Sequence, residues 1–292
     1  MAGGGQRAPR VMSVANFGWG GREARILGRG INWLDIAPRD LIEVSDKVFS
    51  GIREKYVIHG PGFVAKKRID PKFGGTEVYV ELKTEHVARL RPGEWLDTSI
   101  IDAFTLMLNR YEAQGEINAP PRICMMTQRQ NHGNTPHAFA PGLKPKYAGL
   151  VCNTDRTGPG VHWILYWGTF DHAARTVDLV CYDSLADRRG RHNSSRDKNI
   201  MELFAACISQ ELSSEPYKVA GGAVKDGPCP QQPNGCDCGV YALAFAFSLA
   251  ANPETAPTFP FRNSGADAGE RARRALAYRL ARNCEEEPGT CT

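Results

Sequence analysis

No apolar run in this 292-residue sequence is long enough to cross a bilayer. The most apolar stretch, 240–251, is about a dozen residues and contains Ser248, short of the roughly 18 to 20 that a span needs. The first residues, MAGGGQRAPR, lack the apolar segment of an export leader, so none is expected. A large excess of one charge is also missing. Lys and Arg number 36 against 32 Asp and Glu, and the resulting +4 is spread along the chain, which gives no footprint for nucleic acid. Internal repeats are absent. So is an even cysteine framework: nine cysteines at irregular spacing are unlike a small disulfide-stapled secreted domain, and reduced thiols in cytoplasm or nucleus are expected. What is present, a 42% hydrophobic share, is too high for general disorder and suits one large domain or two small ones.

Residues 1–12, rich in Gly, Arg and Pro, read as a disordered lead. Over 13–77 short apolar pieces alternate with Gly and Pro without a lasting period, and the segment is read as an extension of unknown role, packed on the main domain or loosely folded. The main domain is placed at 78–283, followed by a tail over 284–292. Within it VYVEL (78–82) alternates as a strand does, and Asp97 or Thr98 can cap a helix whose apolar positions recur at three and four up to about Gln114. Residues 162–167 and 176–182 read as a hairpin about a polar turn, and 200–212 as an amphipathic helix. Residues 238–251 are apolar on every face, the pattern of a buried helix. Residues 271–282 form an Arg-rich pattern, expected on the surface and packed through Leu276 and Leu280. The mixture predicts an α+β class with a mixed central sheet packed against helices.

The segment PQQPNGCDCG (230–239) runs straight into the buried helix and sets Cys238 at its N-terminus. Unpaired N–H groups and the helix dipole favour a thiolate there, and the same N–H groups, with a nearby Gln amide, can stabilise an oxyanion. Such a nucleophile needs a base and an orienting group. The hairpin offers His162 at the start of one strand and Asp183 at the end of the next, and antiparallel pairing brings those ends together. His172 and His192 lie in loops and are second choices, whereas His132 and His137 read as solvated. Cys229, Cys236 and Cys238 amount to half a metal site with no second cluster at zinc spacing, so no metal is expected, and Cys236 reads as a spectator thiol.

Three blocks together resemble the ubiquitin-like-protein-specific cysteine peptidases, the SUMO-protease family, itself distantly similar to the adenovirus-type proteinase. They are LRPGEWLDTSIIDAF (90–104), HWILYWGTF (162–170) followed by VCYDSL (180–185), and PQQPNGCDCGVYAL (230–243), and the likeness spans about residues 78–252. The resemblance implies a papain-like-clan fold and a thiol protease without cofactor, in which Cys238 is the nucleophile, His162 the general base and acid, and Asp183 the orienting carboxylate. It also implies that Gln232 serves the oxyanion hole, that Trp95 and Trp163 cover a narrow channel for a Gly-Gly tail, and that Asp97 touches a basic patch on the modifier. The expected partner is a SUMO-type modifier and its conjugates, met by a monomeric protease in cytoplasm or nucleus, or in a host cell for an effector or viral product. Other readings stay open: a ubiquitin- or NEDD8-directed effector, a viral or mobile-element polyprotein protease, and an acetyltransferase that carries its acyl group on Cys.

Overall fold

The computed structural model describes residues 38–51, 55–62, 69–70, 75–113, 123–126, 144–154, 162–185, 194–207, 217–261 and 267–286. Helix α1 (Pro38–Phe49) precedes a three-stranded antiparallel sheet of β1 (Lys55–Gly62), β2 (Ile69–Asp70) and β3 (Gly75–Lys83), ordered β1-β3-β2. A short helix α2 (Thr84–Ala88) leads to α3 (Thr98–Ala113). The main sheet contains β4 (Ile123–Met126), β5 (Tyr147–Asn153), β6 (Trp163–Asp171), β7 (Thr176–Tyr182) and β8 (Lys218–Val219) in that order, with β9 (Lys225–Asp226) also paired to β7. Helices α4 (Ser194–Cys207), α5 (Cys238–Ala251) and α6 (Ala268–Glu286), with a 3-10 turn at Ala220–Gly222, complete the described elements. The β4–β5, β7–β8 and β7–β9 pairings are parallel and the two central ones antiparallel, a mixed sheet in an α+β molecule as expected.

The main sheet is covered on both faces, which explains why its central strand reads as a continuous apolar run. From β6, Trp163, Leu165 and Trp167 join the core under α5, while Ile164 and Tyr166 face the second core, which holds Ile200 and Phe204 of α4. A side chain at Gly168 would collide with the Phe204 ring, at 2.7 Å from its Cδ1, so only glycine lets α4 sit this close to the strand. Helix α5 is buried from Cys238 to Phe247, as its all-round apolar pattern predicts.

Helix α3 starts where the capping residues suggest. The Asp97 carboxylate accepts the Ile100 N–H at 2.9 Å, and the Asp97 carbonyl accepts that of Ile101. Its far end uses Asn109 to occupy the backbone of β4: the side chain donates to the Met125 carbonyl and accepts from the Met125 N–H. One face of the small sheet (Tyr56, Ile58, Val80, Leu82) packs under α3, and α1 lies along α6. Strand β3 itself spans the boundary drawn between residues 77 and 78.

Two expectations need correction. Helix α4 begins at Ser194, inside the stretch 187–198 that reads as a basic loop, and residues 208–212 of the expected helix lie outside the described residues. Helix α6 is not a surface helix. Leu276 and Leu280 are buried as expected, but so are Arg273 and Arg279, at 0% and 1% exposure. Arg279 stacks over the Phe247 ring at 4.6 Å, and Arg273 is bonded to backbone and carboxylate, which compensates its charge inside the protein.

Candidate active site

The β6–β7 hairpin brings two side chains together at one end. His162 stands directly before β6 and Asp183 directly after β7, and their strands run antiparallel with Leu165 opposite Tyr182. His162 Nε2 lies 2.6 Å from Asp183 Oδ1, which also accepts the Leu185 N–H at 2.8 Å. His162 is 3% exposed, and its Nδ1 is buried without a hydrogen-bond partner.

Burial alone would push the imidazole down. The hydrogen bond that the ring donates to Asp183, the Cys238 thiol and the charges of both outweigh it and raise the ring from 6.5 to about 9. For Asp183 burial works upward, but the His162 hydrogen bond and charge, the Leu185 N–H and Arg196 hold the carboxyl below its ordinary value. The Cys238 thiol contributes to this rise, although it forms no hydrogen bond with Nδ1 in this geometry. Such contacts commonly tighten only with substrate bound.

Gln232 is carried to this end by stitching between its loop and the end of β7. The Gln232 N–H donates to the Ser184 carbonyl at 2.9 Å, and the Gln231 side chain donates to the Asp183 carbonyl at 3.0 Å. The Gln232 amide is fixed at both ends: Oε1 accepts from Ser184 Oγ at 2.5 Å, and Nε2 donates to the Asn234 carbonyl at 2.7 Å. With its oxygen engaged by the hydroxyl, the amide keeps a second N–H to offer.

Cys238 is the first residue of α5. A Cβ at Gly239 would lie 3.0 Å from Leu96 Cβ and 3.1 Å from Trp163 Cδ1, so glycine lets this helix end sit directly on the 89–97 segment and on β6. Before the helix, Asn234 Oδ1 accepts the N–H groups of Cys236 and Asp237 and organises the turn. Among the described residues, no group of three or more His, Cys, Asp or Glu is placed to hold a metal ion.

Residues 147–271, which contain His162, Asp183, Gln232 and Cys238, match the family model described as the Ulp1 protease family, C-terminal catalytic domain. The chain is a relative of the SUMO-protease family. The Ulp1-family domain is that of a cysteine peptidase. Among curated proteins nothing matches the chain. Solved structures similar to it include SUMO protease Ulp1 with the catalytic cysteine oxidised to a sulfinic acid (TM-score 0.46, 18% identity, 85% of this chain and 95% of that one). The C-terminal Ulp1 protease domain in complex with Smt3, the yeast ortholog of SUMO, gives 0.45 at 17% identity over 85% and 96%. The Xanthomonas campestris effector protein XopD bound to ubiquitin gives 0.38 at 19% identity over 64% and 92%.

In this Ulp1-family relative two of the expected substrate contacts, Trp95 and Asp97, fall outside the matched residues. Trp95 and Asp97 are half-buried, and Asp97 spends one oxygen on capping α3. Trp163 is 2% exposed and donates its indole N–H to the Leu96 carbonyl at 2.9 Å, tying the segment that carries Trp95 to the strand that follows His162. Cys236 is half-buried, and burial together with the Asp237 charge pushes its thiol up, as suits a spectator. His172 lies at the far end of the hairpin, between Tyr217 Oη and the Pro145 carbonyl, while His132, His137 and His192 lie outside the described residues.

Arg273 is the residue at this site that the sequence reading passed over. It reaches from α6 to Asp237, the residue before Cys238, with Nε 2.8 Å from Oδ1. The signal was faint but present: an Arg one turn before Leu276, on the apolar stripe of its own helix.

Proposed function

We propose that the chain is a thiol protease that cleaves after the C-terminal Gly-Gly of a SUMO-type modifier, releasing it from conjugates and from precursors. The observation that carries the reading is His162, held through Nε2 by Asp183 at 2.6 Å, in a chain that sets Cys238 at the head of α5. The family match adds the substrate class, and the complex of a similar protease with Smt3 illustrates it.

In this reading the Cys238 thiolate, paired with the protonated His162, attacks the carbonyl carbon of the terminal Gly. The Cys238 backbone N–H and the free N–H of Gln232 receive the developing oxyanion. His162 passes its proton to the departing amine as the C–N bond breaks, leaving a thioester. Water, deprotonated by the same imidazole, then hydrolyses the thioester and restores the thiol. Trp95 and Trp163 select the tail, because only residues without side chains pass between closely set indoles. Asp97 would meet a basic patch on the modifier.

Covalent capture tests the proposal. Wild type and Cys238→Ala are mixed with SUMO, ubiquitin and NEDD8 probes carrying a thiol-reactive C-terminus. A SUMO adduct with wild type and none with the variant is expected. Capture only by ubiquitin or NEDD8 would move the substrate and keep the chemistry, and no adduct with any probe would overturn the modifier reading.

A further inference from the structure

Arg273 places one guanidinium between the segment that carries Trp95 and the turn before Cys238, and every N–H it has is used. Nε donates to Asp237 Oδ1 at 2.8 Å, Nη1 to the carbonyls of Arg89 and Arg91 at 3.0 Å each, and Nη2 to the carbonyls of Glu94 and, at 3.1 Å, Cys236. The first three of those carbonyls belong to the segment that carries Trp95. Cys236 and Asp237 are the residues immediately before Cys238. The side chain is 0% exposed, and the Asp237 carboxylate beside it is also bonded by the Asn234 amide through Oδ2. Gly269 closes the cluster from α6, since a Cβ there would fall 1.9 Å from Asp237 Oδ2. Arg273 lies beyond the residues matched by the family model, which end at 271.

A fully buried guanidinium between a carboxylate and four carbonyls is more than a helix needs for packing. We propose that Arg273 is a positioning residue for acyl transfer, acting through Asp237 and the Cys236 carbonyl to fix the peptide plane that presents the Cys238 N–H. This inference rests on the reading of Cys238 as nucleophile and is independent of which modifier is cut. The two groups it orders, the Cys238 N–H and the Trp95 segment, matter for stabilising an oxyanion and for seating a tail. They do not touch the His162–Asp183 pair, which is held from β6 and β7. A Lys at 273 keeps the charge but offers donors from a single point, so it cannot serve acceptors arranged around a planar fork.

The test separates two reactions of the same thiol. Acylation by p-nitrophenyl acetate forms an S-acetyl thioester, expels p-nitrophenolate and passes through an oxyanion. Alkylation by iodoacetamide displaces iodide from carbon and forms no oxyanion. Both rates are taken as the part that Cys238→Ala removes, and both are divided by the folded fraction from a thermal melt. In Arg273→Lys the ester burst is expected to slow about 10-fold or more, while alkylation stays within about twofold of wild type. Equal loss in both reactions, or loss in neither, would overturn the proposal. Should Arg273→Lys show no melting transition, Asp237→Asn, which keeps the shape and the guanidinium, is measured the same way with the same split expected. Absence of a transition in both variants would reduce the cluster to a structural role and end the proposal. A wild type that is acylated by the ester yet captured by no modifier probe loses the modifier reading and leaves this test intact.

Discussion

His162 shows how far a single side chain depends on its neighbours. Burial opposes its charge, yet Asp183 and Cys238 raise it from 6.5 to about 9, so the imidazolium persists well above neutrality in the folded protein. Without the Asp183 charge, burial dominates and the ring's affinity for a proton falls. Asp183→Asn is therefore expected to move the alkaline limb of kcat/KM to lower pH and to reduce its maximum on the order of 10²- to 10⁴-fold, read from a pH–rate profile. The same shift bears on stability. A group whose proton affinity rises on folding stabilises fully below its ordinary value of 6.5, and that contribution disappears as pH climbs through about 9. Melting temperature should accordingly fall across that window in wild type and fall less in Asp183→Asn. At this scale His162, Asp183 and Cys238 were legible because each stands at the end of an element, where chain pattern and chemistry coincide. The orientation of the Gln232 amide was not, because Ser184 and Asn234 decide it.

At the scale of elements, α3 and the segment before it show one residue serving two ends. Asp97 caps α3 through a single oxygen and is also the proposed contact to the modifier. Asn caps a helix about as well as Asp, so Asp97→Asn separates the two roles. The expected outcome is a several-fold rise in KM for the modifier substrate with an unchanged melting temperature, and a fall in melting temperature without a change in KM would make Asp97 a cap alone. Helices α3 and α5 and the hairpin lie close to where periodicity places them, since each has a strong apolar pattern and a clear start. The onset of α4 was missed because its first turn, SSRDK, is polar and basic and looks like the loop that precedes it. Strands β1 and β2 were missed because Gly and Pro break up β1 and β2 is only Ile69–Asp70; both gain their order from pairing with β3, and β1 also from packing under α3.

On the scale of the molecule, α6 joins regions far apart in the chain. It packs along α1, touches β1 and α5, and sends Arg274 to Asp46 and Ser45 while Arg273 reaches the turn before Cys238. Leu276, fully buried at this junction, is expected to cost about 2–5 kcal/mol when cut to Ala, measured by denaturant unfolding. The folded fraction should still be captured at Cys238 at the wild-type rate, because Leu276 contributes packing and no polar contact to the site. Among the described residues no helix is long and apolar enough to cross a membrane.

Local pattern determined the class, the hairpin, the buried helix with Cys238 at its head, and the pairing of His162 with Asp183. Each follows from short-range periodicity, from capping, or from the geometry of antiparallel neighbours. Tertiary structure alone decided which charges belong inside. An Arg in a run of arginines looks solvated until another part of the chain supplies a carboxylate and carbonyls to receive it, and for Arg273 those partners stand between 36 and 184 residues away. Burying a charge is a property of the assembled environment, and no stretch of sequence contains that environment by itself.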